Sequence, residues 1–377
     1  MKKTILSLVA LLATALSVNA QTWNMVITHE DGTVETLSTS AVKSVTFTQP
    51  DQNADQVIIK EIYNGGVMKD DGSGNFAMDK NIILYNNCSQ VAVINNLCIG
   101  MSADYNAEAS SNSKLYKDGN LIYTDFIPAI NGIWYFQKAL TIQPYSQVVV
   151  NICGAIDNTQ TVTNSINYAN KDYYCMYDPT YKGAGSSESN MYYNNTRYYP
   201  SPADVIPTSH YLKTVKYGMG NAWPMSGTSP AVFIFKTTDD TPVSYGENVE
   251  NLWYAPGNEG SATWACLKVP TDWIIDGVEV FNTQKLSDCV KRLTSDVDAG
   301  HVNLTSKLGH VVYRNVDKDA TEALAENEGK LVYNYTLGTD PSGIDAEASM
   351  KAGAHIVFQD TDNSTNDFHE REKSSLR

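Results

Sequence analysis

Positive charge is what this chain has least of. Its 27 Lys and Arg stand against 42 Asp and Glu, a formal net charge of −15 over 377 residues. Such a chain repels phosphate backbones and anionic lipid, which counts against nucleic acid and polybasic membrane docking as partners. Long apolar runs are also missing. Only the first residues, MKKTILSLVALLATALSVNA, hold one, and it is too short for a good membrane span. No CxxC spacing exists among the six cysteines, which removes zinc-ribbon and thioredoxin-like readings. Neither a G-x-S-x-G elbow nor a cysteine-protease signature occurs, so no nucleophile is marked. Helical periodicity is scarce.

The start of the chain is informative. Lys2 and Lys3 precede an apolar run from Thr4 to about Val18, and Val18-Asn19-Ala20 has the small-x-small form of a cleavage site. Residues 1–20 therefore read as a secretory signal peptide, and the expected address is periplasmic, cell-surface or extracellular. Gln21 follows, so a lipid anchor is not expected there. Cys88, Cys98, Cys153, Cys175, Cys266 and Cys289 are an even set that permits three disulfides in an exported protein; free buried thiols are the other option in a chain this large.

Short β-branched and aromatic runs dominate the rest of the chain. Residues 21–50 read as a small hairpin unit, with Trp23, Met25 and Ile27 alternating before an Asp31-Gly32 turn, one helical turn near Ser38–Val42 and a strand over Ser44–Thr48. Residues 51–55 are a polar linker. From residue 57 onward come strand signals at 57–66, 81–87, 90–101, 120–126, 134–142, 146–155, 231–237, 273–281, 309–316 and 355–361, separated by Gly, Asn, Asp and Pro. That spacing predicts an all-β sandwich. Thr283–Leu293 has the period of one short amphipathic helix, and Asp319–Glu328 that of a second. Residues 157–230, rich in Tyr, Asn, Ser and Pro, read as a large insertion, and 372–377 as a tail.

Several segments carry a resemblance. VIIKEIYNGG (57–66), NIILYNNCSQVAVINNLCI (81–99), PYSQVVVNICGAIDN (144–158), WIIDGVEVF with its buried-side aspartate (273–281) and GHVVYRNV (309–316) resemble the strands of lamin-tail-like domains. QDTDNSTNDFHER (359–371), NSINYANKDYYCMYD and GNAWPMSGTSPAVFIFK resemble more closely a family of exported Bacteroidota proteins with a domain of unknown function. The resemblance spans about 56–371. It implies an immunoglobulin-like β-sandwich and a secreted or surface address. It implies no activity, so no catalytic residue carries over, and no metal or cofactor is assigned.

Candidate chemistry is sparse. Two oxygen-rich loops, Asp70–Asn75 and Asp360–Asn363 with Asp367, lack the spacing of an EF-hand and read as solvated or capping turns. Glu61 and Asp276 lie on apolar strands, where an ionised group must be bonded; Glu61 is expected to point outward by alternation. The best binding candidate is MYYNNTRYYPSP at 191–202. Tyr192, Tyr193, Tyr198 and Tyr199 offer ring faces, Arg197 a donor fork, and Trp223 is expected to join them as an exposed platform for a sugar or protein. The expected function is a secreted or cell-surface binding protein. It would assist an outer-membrane nutrient receptor or act as an adhesin, with a protein or glycan partner. A self-associating structural surface component and a secreted hydrolase are the alternatives.

Overall fold

The computed structural model describes residues 23–29, 31–42, 50–103, 106–107, 114–179, 181, 193, 195–223, 225–335, 337–338 and 340–377. The chain divides into two units, Met1–Thr48 and Gln49–Arg377. In the first, Asn24–Thr28 pairs antiparallel with Val34–Ser38, as the alternation predicts. The turn is closed by Asp31, whose carboxylate accepts from Thr33 N at 2.9 Å. A 3₁₀ turn, Thr39–Ala41, follows. The expected strand at Ser44–Thr48 and the signal segment lie outside the described residues.

The second unit is built on a twelve-stranded mixed sheet. Its order is Val302–Leu304, Ile274–Asn282, Ala231–Lys236, Leu97–Met101, Gly132–Tyr135, Tyr211–Lys216, Tyr174–Met176, Gln147–Cys153, Lys80–Asn86, Val57–Tyr63, Val311–Arg314 and Phe368–Arg371. The pairs flanking Tyr174–Met176, and the pair of Ile274–Asn282 with Val302–Leu304, are parallel; the rest are antiparallel. The protein is thus mostly β, with a few short helices. Hydrogen bonding makes one long sheet where a two-sheet sandwich was expected. The sheet curls until its ends approach: Thr305, beyond one edge strand, donates to Glu370 of the other at 3.1 Å through N and through Oγ1.

Curling gives Val57–Tyr63 two buried faces. Val57, Ile59 and Ile62 enter the main core with Trp134, Phe233 and Phe235, while Ile58 and Tyr63 enter a second core with Tyr85, Tyr313 and Phe358. A bulge at Lys60 shifts the parity of the strand, since Ile59 pairs with Leu84 but Glu61 with Ile83. Glu61 is therefore fully buried rather than outward: the segment around 344–376 covers the face that alternation assigns to solvent. Its carboxylate accepts from Ser374 Oγ at 2.5 Å and Ser375 N at 2.8 Å, fastening the 372–377 tail.

Other sequence expectations shift in the same way. The stretch 157–230 is no appended insertion, because Tyr174–Met176 and Tyr211–Lys216 sit in the middle of the sheet. Thr283–Asp288 forms a kinked 3₁₀ segment in place of an α-helix, and only Lys318–Glu322 is α-helical within the second expected helix. Residues 355–361 form no strand; Phe368–Arg371 takes the edge. None of the six cysteines is in a disulfide, and five are buried.

Candidate functional site

The tyrosine-rich stretch points to the site indirectly. Tyr193, Tyr199 and Trp223 are not an exposed platform; they are 2%, 6% and 5% exposed and belong to the main core. Tyr193 stacks on Trp134 with ring centroids 5.3 Å apart, and Tyr199 lies 6.0 Å from both rings. Tyr199 OH accepts from Trp223 N at 2.9 Å, and Trp223 Nε1 donates to Gly132 O at 3.0 Å. Only glycine fits at 132, where a Cβ would stand 2.6 Å from the Tyr193 hydroxyl. The physical reason for the correction is area: the sheet's own aliphatic residues leave a gap over Trp134 that three large rings fill. Tyr192 lies outside the described residues. Tyr198 is half-buried and Arg197 is exposed.

What the buried rings hold in place is a turn. Tyr198 N and Tyr199 N both donate to Asn195 O, at 2.9 and 2.8 Å, and Arg197 N donates to Asn195 Oδ1 at 3.1 Å. Gly154 N donates to Tyr198 O at 2.8 Å, tying the turn to the end of Gln147–Cys153. Arg197 is thereby lifted onto the rim of a cleft of about 660 Å³. The sequence offers no signal that joins this arginine to its partners, which come from residues 69–78 and 154–162.

The first wall is the loop after Val57–Tyr63. Gly66 adopts φ +67°, and a Cβ there would meet Phe76 O at 2.1 Å, so the chain folds tightly back. Phe76 N donates to Val67 O at 2.7 Å and Lys69 N to Gly74 O at 2.9 Å. Asn75 Nδ2 donates to Gly65 O at 3.1 Å, and Asp71 caps its own turn by accepting from Ser73 N at 2.8 Å. The Asp70–Asn75 loop is thus a capped turn, and it carries Lys69, Phe76 and Met78 to the cleft.

The second wall runs from Gly154 to Val162. Asp157 caps the 3₁₀ turn Asn158–Gln160 by accepting from Thr159 N at 3.1 Å. Asp70 crosses between the walls: its two oxygens accept from Thr163 N at 3.1 Å each, and one also from Thr163 Oγ1 at 2.9 Å. Ile156, Val162 and Pro200 complete the apolar lining; Asn158, Thr161 and Thr196 add polar atoms.

Behind the cleft lies Asp79, fully buried. It accepts from Asn158 Nδ2, Ile166 N and Tyr63 OH, each at 3.4 Å, and from the Ser165 hydroxyl. Burial pushes its carboxyl up to about 6, against the hydrogen bonds from Ser165, Ile166 and Asn158 that stabilise the ionised form.

The remaining buried carboxylates are spent on structure. Glu279 accepts from Arg292 N at 2.7 Å and Leu293 N at 3.0 Å, and pairs with Lys291 at 3.2 Å. Asp298 accepts from Glu279 N at 3.0 Å and Ser364 N at 2.8 Å. Asp367 accepts from Thr361 N and Thr361 Oγ1, both at 2.8 Å, so the Asp360–Asp367 region is a capped turn. No group of three or more His, Cys, Asp or Glu with metal-binding geometry occurs among the described residues. No helix among them is long and apolar enough to cross a membrane.

Comparison with known proteins places this architecture. The family described as "Protein of unknown function (DUF4876)" matches residues 143–375. The crystal structure of a DUF4876 family protein from Bacteroides thetaiotaomicron VPI-5482 is similar to this chain, with a TM-score of 0.56 and 16% identity over 90% of this chain and 74% of that one. No curated protein matches.

Proposed function

Because the chain belongs to the DUF4876 family, whose description assigns no activity, we propose its function from geometry: it is an exported binding protein that holds a small organic ligand in the cleft between residues 66–78 and 154–162. The observation that carries this reading is the cleft itself. Its volume of about 660 Å³ falls within the range of small-molecule sites and has room for about two or three sugar rings. Its lining joins the apolar side chains of Phe76, Met78, Ile156, Val162 and Pro200 to polar ones that include Asn75, Asn158, Thr161 and Thr196. The Asp70–Thr163 bonds brace the walls against each other, so little ordering is left for binding to bring about.

Export is part of the proposal and rests on Lys2, Lys3, the apolar run to Val18 and the Val18-Asn19-Ala20 exit. A surface address, with the ligand handed to an outer-membrane receptor, is inferred from the same signals. We also retain the immunoglobulin-like likeness as a reading of the curled sheet, whose two halves enclose one core as stacked sheets do. The tyrosines serve this function as the anchor of Arg197 rather than as a stacking platform.

The test is a thermal-shift screen of residues 21–377 against mono- to trisaccharides, organic acids and aromatic metabolites, repeated with Ala77→Trp, which fills the cleft. One compound class should raise the Tm of the wild type and leave the variant unmoved. Absence of any shift, or a shift that persists in Ala77→Trp, refutes the cleft as the binding site.

A further inference from the structure

The two faces of charge in this cleft are not equivalent. Asp70 is engaged three times by Thr163, and Asp71 is engaged by Ser73 N, so both carboxylates have part of their hydrogen-bonding capacity filled from within the protein. Lys69, on the same loop, helps by its charge to lower the Asp71 carboxyl, and Arg197 lines the cleft from the 195–199 turn; among the described residues, neither cation lies within ion-pair distance of a carboxylate. The Arg197 guanidinium lies over the Tyr198 ring, 5.7 Å from its centroid. A guanidinium with its fork uncommitted, on a turn held rigid by buried rings, is the group best suited to a planar anion. Phe76 lines the same cleft, and Thr161, Thr196 and Asn158 add polar contacts of the kind that sugar hydroxyls use.

Resting on the cleft as the binding site, we infer that its ligand is an acidic saccharide: a sugar ring packs on Phe76 and its anionic group is taken by Arg197 and Lys69. The anion is a carboxylate or a sulfate, which present the same acceptor oxygens to the fork. The acidic surface elsewhere does not oppose this, because charges beyond about 8 Å are screened at physiological salt.

The experiment is calorimetric titration of residues 21–377 with three probes: a trigalacturonate, its fully methyl-esterified form, and a sulfated disaccharide. At least one anionic probe should bind about tenfold more tightly than the neutral ester, with affinity falling as salt rises. Arg197→Gln and Lys69→Gln should each erase that preference while leaving the Tm unchanged, since neither side chain forms an ion pair among the described residues. Trigalacturonate alone binding identifies the carboxylate, and the sulfated probe alone binding identifies the sulfate. If the ester binds as well as the acid, selection for charge is refuted while the cleft stands. If no saccharide binds to a folded protein, the inference fails, and a positive compound class in the thermal screen would show that the cleft reading survives it.

Discussion

Asp276 and Arg314 join the two ends of the curled sheet. Asp276 lies on Ile274–Asn282 and Arg314 on Val311–Arg314, and the guanidinium Nη2 donates to Asp276 Oδ2 with both side chains buried. The bulge at Lys60 interrupts the ladder beside Ile59, and this pair takes up the backbone groups there. Ile59 N donates to Asp276 Oδ2 at 2.6 Å, and Arg314 Nε donates to Ile59 O at 2.8 Å. Arg314 Nη1 also meets Asp360 at 2.9 Å. A buried charge pair is costly unless every polar atom is answered, and here the bulge supplies the answers.

Arg314→Met should therefore destabilise the protein by about 3–5 kcal/mol, because it leaves Asp276 buried without the partner that offsets its burial. Urea unfolding measures this. The double variant Arg314→Met with Asp276→Asn should lose clearly less than the sum of the single losses. Single variants within about 1 kcal/mol of the wild type would count against the closure role.

Tyr193 and Tyr199 should respond oppositely to loss of the hydroxyl. Tyr193 OH is buried with no partner among the described residues, whereas Tyr199 OH accepts from Trp223 N at 2.9 Å. Tyr193→Phe removes an unanswered polar group and should leave stability equal or raise it by about 1 kcal/mol; Tyr199→Phe should lower it by about 1–2 kcal/mol. Thermal unfolding of the two variants side by side decides it, and equal losses would refute the assignment.

Asp79 and His369 set opposing pH dependences. Burial holds Asp79 up at about 6 from the ordinary 3.8, so its contribution is full below 3.8 and is lost as pH rises through 6. Burial, with help from Arg371, lowers His369 from 6.5 to about 4, so its contribution is full above 6.5 and is lost as pH falls through 4. Each amounts to at most about 3 kcal/mol. Relative to wild type, Asp79→Asn should gain stability as pH rises from 4 to 7. The cost of acidification carried by His369 should disappear in His369→Gln over the same range. Urea midpoints at pH 4.5 and 7 read both slopes, and parallel slopes would sink the pairing.

Glu61 should act as the clasp of the chain end. Glu61→Leu removes the acceptor of Ser374 Oγ and Ser375 N, and amide exchange at Ser375 and Leu376 should quicken by about tenfold or more while the sheet amides stay protected. Unchanged exchange at these two amides would mean that packing of Leu376 alone fastens the segment.

Much of the fold is legible in the order of residues. VIIKEIY, KNIILYN, QVVVNIC and AVFIFK are β-branched runs bounded by turn formers, and each is a strand. Asp276 in WIIDGVEVF can be picked out as a buried acid, because a charge on so apolar a strand must be answered. Tyr174–Met176 was hidden, since YCM among polar neighbours becomes a strand only when flanking strands pair with it. Alternation puts Glu61 outward because it assumes one wet face, and here both are covered. Of the candidate site, the sequence marks Arg197 as part of a tyrosine platform and Asp70–Asn75 as a solvated or capping turn; nothing in the order of residues joins them in a cleft.

The β character, the turns at Gly66 and Asp71 and the acidic balance are all written in the chain. They depend on local sterics and composition, which act over a few residues. Three outcomes belong to the folded molecule: which tyrosines are core, the closure of one sheet on itself through Asp276 and Arg314, and the meeting of Arg197 with Lys69 and Phe76 across a braced cleft. Those outcomes rest on contacts between segments tens to hundreds of residues apart, where burial of area and the need to answer every buried polar atom outweigh local preference.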